Sequence, residues 1–286
     1  MTATDQSDLQ LSRAIEDLMV QRNLRGMKDV QHALEPGYYM RAAKTLLGCN
    51  GTVLIGTGFP VVDTFETDGP VGAIALYDVL QYLGARPILV CGAPLAQSLA
   101  DEYEVFEIAL GNLAGAEEEA RQALAQLQPE VIISIERPGL SEEGGYFNMR
   151  GEDISPRCAC FDHFMRLARC PTIAIGDGGN EIGMGNIRDA IAKLDIIPAA
   201  TTCDELLIAD VSNWAAHGII AMLAKWHGED LLARIDTLAI LKYISARGSV
   251  DGVTRENTLT EDSLPVGEGQ KLIAELRMLA GFSQAA

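Results

Sequence analysis

Residues 52–58 read TVLIGTG, a β-branched run that ends in glycines, the way a strand leaves a parallel sheet. Working outward on the amino-terminal side, Tyr38–Leu47 places Met40, Ala43, Leu46 and Leu47 at helical spacing, and Leu11, Ile15, Leu18 and Met19 do the same further back. On the carboxyl side the alanine-rich segment Ala73–Leu83 predicts a helix, and Ala85-Arg86-Pro87 leads into the next apolar run, ILVCG. The alternation then repeats. Tyr103–Ile108 reads as a short strand, Ala116–Leu127 as a helix with charges on one face, and VIISIE (131–136) as a strand entered through Pro129. Phe161–Ala168 predicts a helix, TIAIG (172–176) a strand, Met184–Leu194 a helix, Glu205–Ala209 a sixth strand and Ser212–Trp226 a helix.

Short apolar runs alternating with amphipathic helices imply an α/β fold. Its sheet is mostly parallel and covered by helices on both faces, in the Rossmann-like manner. No internal repeat or linker divides the chain, so residues 1–286 are expected to form a single domain. Within it, 1–47 supply amino-terminal helices, 48–228 the sheet core that carries the site, and 229–286 a helical carboxy-terminal extension interrupted by the polar stretch Gly248–Pro265.

The 286 residues hold 22 Lys+Arg against 40 Asp+Glu, a formal net charge of −18. Such a chain repels phosphate backbones, so no nucleic-acid partner is expected, while a cation is attracted. The acidic amino terminus lacks the basic and apolar regions of a targeting peptide, and apolar runs are too short to span a bilayer, which needs about 20 residues. The six cysteines include no C-x-x-C pair and suit reduced core positions. The expectation is a cytoplasmic protein without membrane attachment.

Three loops at strand ends carry polar chemistry. The first, GTGFPVVDTFETDGPVG (56–72), holds Asp63, Glu66 and Asp68; Val61 replaces the third glycine of a dinucleotide fingerprint, and no P-loop occurs, so no nucleotide cofactor is expected. It reads either as a pocket wall with Glu66 or Asp68 as acid, base or metal ligand, or as a solvated crossover. The second (133–155) sets Glu136 and Arg137 at a strand end, with Asn148 and Arg150 further on; the arginine could fork onto a carboxylate or pair internally to order the loop. The third, IGDGGNEIGMGN (175–186), could present amides to an anion or oxygens of Asp177, Asn180 and Glu181 to a hard cation, or form a tight turn with an acid near a helix start. Cys158, Cys160, His163 and Cys170 lack zinc-site spacing, and the cysteines read as residues of a buried helix; His217 reads as a hydrogen-bonded core histidine, and Asp210 or Ser212 as helix caps.

Taken together, GTGFP (56–60), ETDGPVGA (66–73), IER and YFNMRG (135–137, 146–151), GDGGNEIGMG (176–185) and VSNW (211–214) make the chain similar to the D-glutamate cyclase family, in its carboxy-terminal catalytic-type domain. Val71 departs from a second proline expected after ETDGP. The resemblance implies a hydro-lyase that closes D-glutamate to 5-oxo-D-proline with loss of water. Matched to that reaction, Glu66, Asp68, Asp177 and Glu181 are the expected catalytic acids, with Glu66 as proton shuttle. Asp68, Asp177 and Glu181 are expected to hold a divalent cation, Mn²⁺ or Mg²⁺. Arg137 or Arg150 would grip the α-carboxylate, and Thr57, Gly58, Glu136, Asn148, Gly178, Gly179, Asn180 and Asn213 would complete the substrate contacts. The partner is a small molecule; a homo-oligomer is compatible. Another enzyme of small acidic amino-acid derivatives, a lactam hydrolase or racemase, fits the same scaffold, as does a non-catalytic binder.

Overall fold

A computed structural model describes residues 3–282. Its centre is strand β1 (Thr52–Thr57), every residue of which is buried, so both faces are covered as a β-branched run requires. The other sheet strands are β2 (Arg86–Cys91), β3 (Val105–Glu107), β4 (Val131–Ile135), β5 (Thr172–Gly176) and β6 (Glu205–Ile208). All pair in parallel, in the spatial order β3-β2-β1-β4-β5-β6. Val53 stands opposite both Pro87 and Val131. The chain therefore winds outward from β1 first one way and then the other, and the switch point lies between the carboxyl ends of β1 and β4. In open sheets of this order that crevice is where ligands sit.

Helices α1 (Ala3–Met19), α2 (Tyr38–Leu46), α3 (Pro70–Tyr82), α4 (Ala116–Leu127), α5 (Ser212–His227), α6 (Thr237–Ser245) and α7 (Val266–Leu279) surround the sheet. Helix α5 is buried from Ser212 through Ala224 and packs against α1, α2, α3 and α7, so it acts as a central pillar. Gly72 lets α3 approach it: a Cβ there would lie 2.8 Å from Cα of Asn213. Helix α3 begins at Pro70, where the missing amide hydrogen costs nothing. No described helix is long and apolar enough to cross a membrane.

One expected helix is replaced. Met184–Leu194 forms a 3₁₀ turn, Met184–Ile187, and a single helical turn, Arg188–Ile191. Tertiary pairing takes precedence over local propensity, because Gly183 and Gly185 both donate to the carbonyl of Thr201 and Ala199 donates to that of Gly179. The polar stretch near 250 also does more than connect. Val250 bridges to Glu66, and its carbonyl accepts the amide of Thr67, laying the carboxy-terminal loop over the switch point.

Candidate active site

A cleft of about 350 Å³ opens at the switch point. Its floor gathers Glu66, Glu136, Glu181 and Asp262, with Asp68 and Asp177 in the same cluster, and all six carboxylates are buried. Burial raises each of them above the ordinary carboxylate range. For Glu66 and Asp68 the neighbouring Asp262 adds to it, and for Glu136 the neighbouring Asp177. Desolvation likewise lifts Asp177 to about 8, although Arg25 pulls it back. The side chain of Arg25, 19% exposed, places Nη1 2.5 Å from Oδ1 of Asp177 and Nη2 on Asp262.

Each acid is placed by a different local device. Glu136 follows β4 with φ of 47° and accepts the Ser212 hydroxyl at 2.5 Å. Asp68 accepts the amides of Ser212 (2.9 Å) and Asn213 (2.7 Å), and so caps the pillar helix from another part of the chain. Glu181 folds back onto its own turn, accepting the amides of Gly178 (3.0 Å) and Gly179 (2.7 Å). The Glu66 side chain makes no hydrogen bond among the described residues and lies against Gly252, where a Cβ would come within 1.9 Å of Oε2. Asp262 stands in the left-handed region, φ 50°. Of seven non-glycine residues with left-handed φ among the described residues, four line this cleft (Val62, Glu136, Arg255 and Asp262), so backbone strain concentrates where ligand chemistry is expected.

The expected residues divide. Glu66, Glu136, Asn148, Arg150, Gly178, Asn180 and Glu181 line the cleft. Asn148 holds the rim turn through the amides of Arg150 and Glu152, Arg150 donates to the Val253 carbonyl, and Asn180 ties the glycine turn to Phe147. Arg137 goes elsewhere. Its guanidinium donates to the carbonyls of Thr57 and Ala159 and lies 5.6 Å over Phe161. Together with Thr57 and Gly58 it lines a separate hollow of about 20 Å³ behind β1. The chain leaves β4 through Glu136 in the left-handed region, and the turn made there sends Glu136 into the cleft and Arg137 away from it. Asn213 is spent on the Gly69 and Gly72 amides and on Glu261. Gly179 turns its amide toward Glu181.

The oxygen triad also differs in composition from the expected one. Asp68, Glu136 and Asp177 each offer an oxygen within 4.8 Å of the others, with Glu136 standing where Glu181 was expected. Both Glu181 oxygens accept amides of its own glycine turn. Arg25, Asp262, Arg157, Arg255 and Gly252 also line the cleft, and all lie outside the three loops, Arg157 just past the second. Asp210, at the end of β6, accepts the amides of Arg22 and Leu24 and so aims the following Arg25 at the floor. Contrary to expectation, His217 is buried with neither ring nitrogen hydrogen-bonded among the described residues, and Cys158, Cys160 and Cys170 lie outside the helix Asp162–Leu167, the first two in a small apolar cluster with Tyr146.

Fold and site define a Rossmann-like α/β protein with an acid-floored, arginine-rimmed cleft at its switch point. The chain belongs to the D-glutamate cyclase-like, C-terminal family, whose model matches residues 15–277. It is 30% identical over 225 residues to the human mitochondrial D-glutamate cyclase, a match that takes in 69% of this chain and 36% of that protein's length. Among solved structures it is similar to an exopolyphosphatase-related protein from Bacteroides fragilis (TM-score 0.43, 9% identity, 87% of this chain and 62% of that one), a likeness too low to speak to function.

Proposed function

We propose that this cleft closes D-glutamate to 5-oxo-D-proline with loss of water. The observation that carries the reading is Glu66: a buried carboxyl with no hydrogen bond of its own, facing a cleft that also presents Arg150, Arg157 and Arg255. Proton accounting explains why such a group is needed. The substrate ammonium must lose two protons to become a lactam nitrogen, and the departing γ-oxygen needs two to leave as water. A carboxyl held above its usual range can take a proton from nitrogen and return it to oxygen near neutral pH. Ring closure is intramolecular, so orientation by the arginines and the glycine turn adds a proximity advantage. Arg150 and Arg157 suit the α-carboxylate, because they donate to the neutral carbonyls of Val253 and Val62 rather than to acids.

Asp68, Glu136 and Asp177 fit a hard divalent cation such as Mn²⁺ or Mg²⁺: the donors are all oxygens, and Oδ2 of Asp177 is buried without a donor among the described residues. Bound there, such an ion would supply positive charge to polarise the γ-carboxyl. Mn²⁺ at 100 times its dissociation constant is expected to stabilise the fold by about 2.7 kcal/mol, visible as a raised melting temperature. Asp177→Asn should abolish that shift; a shift that survives would place the ion elsewhere.

The test of the reading is incubation with D-glutamate and, separately, L-glutamate in the presence of Mn²⁺, with 5-oxoproline resolved by chiral chromatography. Product from the D-form supports it, and no product from either form overturns it. A second variant addresses Glu66 indirectly. Gly252→Ala should displace the Glu66 carboxylate and lower kcat by about tenfold or more, while the backbone at 252 needs no left-handed conformation. An unchanged kcat would show that the position of Glu66 does not matter.

A further inference from the structure

We propose that the same cleft accepts γ-amides of D-glutamate that carry an apolar amine, and closes the ring with release of that amine instead of water. The inference rests on the cyclase reading and extends its substrate class. Two features lead to it. First, the cleft has an apolar side that free glutamate leaves unused. Phe59, Val61, Val62, Met149, Leu194 and Ile196 all line it, yet glutamate offers only two methylenes between its charged groups. Leu194 and Ile196 lie close over the floor, since a Cβ on Gly26, next to Arg25, would meet Leu194 at 2.6 Å and one on Gly179 would meet Ile196 at 3.2 Å.

Val62 is the sharpest sign. This β-branched residue is 48% exposed and sits at φ 54°, at the tip of the two-residue ladder between Pro60–Val61 and Thr64–Phe65. A β-branched side chain in that conformation is strained, and asparagine or glycine would sit there more easily. Neither water exposure nor backbone geometry favours valine, whereas contact with an apolar group in the cleft does.

Second, the charges at the floor suit a neutral γ-group. Six buried carboxylates gather at the floor, where Arg25 has both terminal nitrogens committed, to Asp177 and Asp262. One carboxylate of the substrate can be met by Arg150 and Arg157; a second, brought among the floor acids, needs a bound divalent cation to offset their repulsion. An amide carbonyl carries no charge and avoids that repulsion.

The step balances. The α-nitrogen attacks the γ-carbonyl carbon, its new C–N bond forms as the amide C–N bond breaks, and the two protons lost by the ammonium end on the departing amine, which leaves as an ammonium. No water, oxidant or reductant is consumed.

The experiment compares D-γ-glutamyl methylamide with D-γ-glutamyl hexylamide, whose amines are similarly basic, and reads 5-oxo-D-proline and free amine by chromatography. D-glutamate is run alongside. Burial of the longer chain is expected to raise kcat/KM for the hexylamide over the methylamide by roughly tenfold or more. Val62→Asn is expected to shrink that ratio several-fold with an unchanged or higher melting temperature, which separates the lost contact from lost folding. Turnover of D-glutamate with neither amide processed, or with equal rates for both amides, overturns the inference and leaves the cyclase reading standing. Amine release with D-glutamate rather than 5-oxoproline as product marks hydrolysis and also overturns it. Failure of all three substrates overturns the cyclase reading itself.

Discussion

Glu66→Gln is expected to lower kcat for D-glutamate cyclisation by about 10²- to 10⁴-fold with little change in KM, while leaving the fold as stable or more so. Glutamine keeps the shape and the contact with Gly252 but cannot carry a proton between nitrogen and oxygen. The stability half of the expectation follows from linkage. Burial raises the Glu66 carboxyl above its ordinary value of 4.5, so the folded state prefers it neutral. A raised carboxyl contributes stability that is complete below the unfolded value and is lost as pH rises through the folded value. The neutral amide removes that loss, so the variant should match wild type near pH 4 and exceed it in melting temperature near pH 8. Activity and stability moving in opposite directions is the mark of a functional group held at a cost to the fold. A loss below about tenfold in kcat would take the shuttle role away from Glu66.

The architecture was legible because four central apolar runs carry their own punctuation. TVLIGTG, ILVCG, VIISIE and TIAIG each end in glycine or an acid at the point where the parallel strand stops. The site was legible only where one loop holds both a strand end and its ligand groups, which is why Glu66, Glu136 and Glu181 were found. Arg25 and Asp262 were hidden by distance along the chain. Nothing local to Arg25 marks it; Asp210, 185 positions later, fixes its loop through the Arg22 and Leu24 amides. Asp262 lies in a stretch whose composition reads as a polar connection, and its position depends on Asp251, whose carboxylate collects the amides of Val253, Thr254 and Ser263. Arg137 was misplaced for a different reason. Residue type suggested a carboxylate fork, but the left-handed conformation of Glu136, which the residue type does not announce, sends Arg137 behind β1.

Arg25→Met should produce the largest stability change in the molecule, and one that depends on pH in a defined direction. The guanidinium is the counterion that Asp177 and Asp262 share, and its removal leaves two buried carboxylates facing four others. Breaking a buried pair from one side costs about 3–5 kcal/mol, because the remaining charge has neither partner nor water. Carboxyls can escape that cost by taking up protons. With Arg25 present, Asp177 already titrates near 8 against an ordinary value of 3.8, so the metal-free protein should lose stability steadily as pH rises between those values. Arg25 is what limits the rise; without it the folded values of Asp177 and Asp262 climb further and the decline steepens and extends to higher pH. The variant should therefore be only mildly destabilised near pH 5 and severely so near pH 8 in urea denaturation, and Asp177→Asn in the Arg25→Met background should recover part of the loss at the higher pH. Equal destabilisation at both pH values would mean that Arg25 supports the fold by packing its aliphatic stem, as Leu194 does on neighbouring Gly26, and not by neutralising the floor.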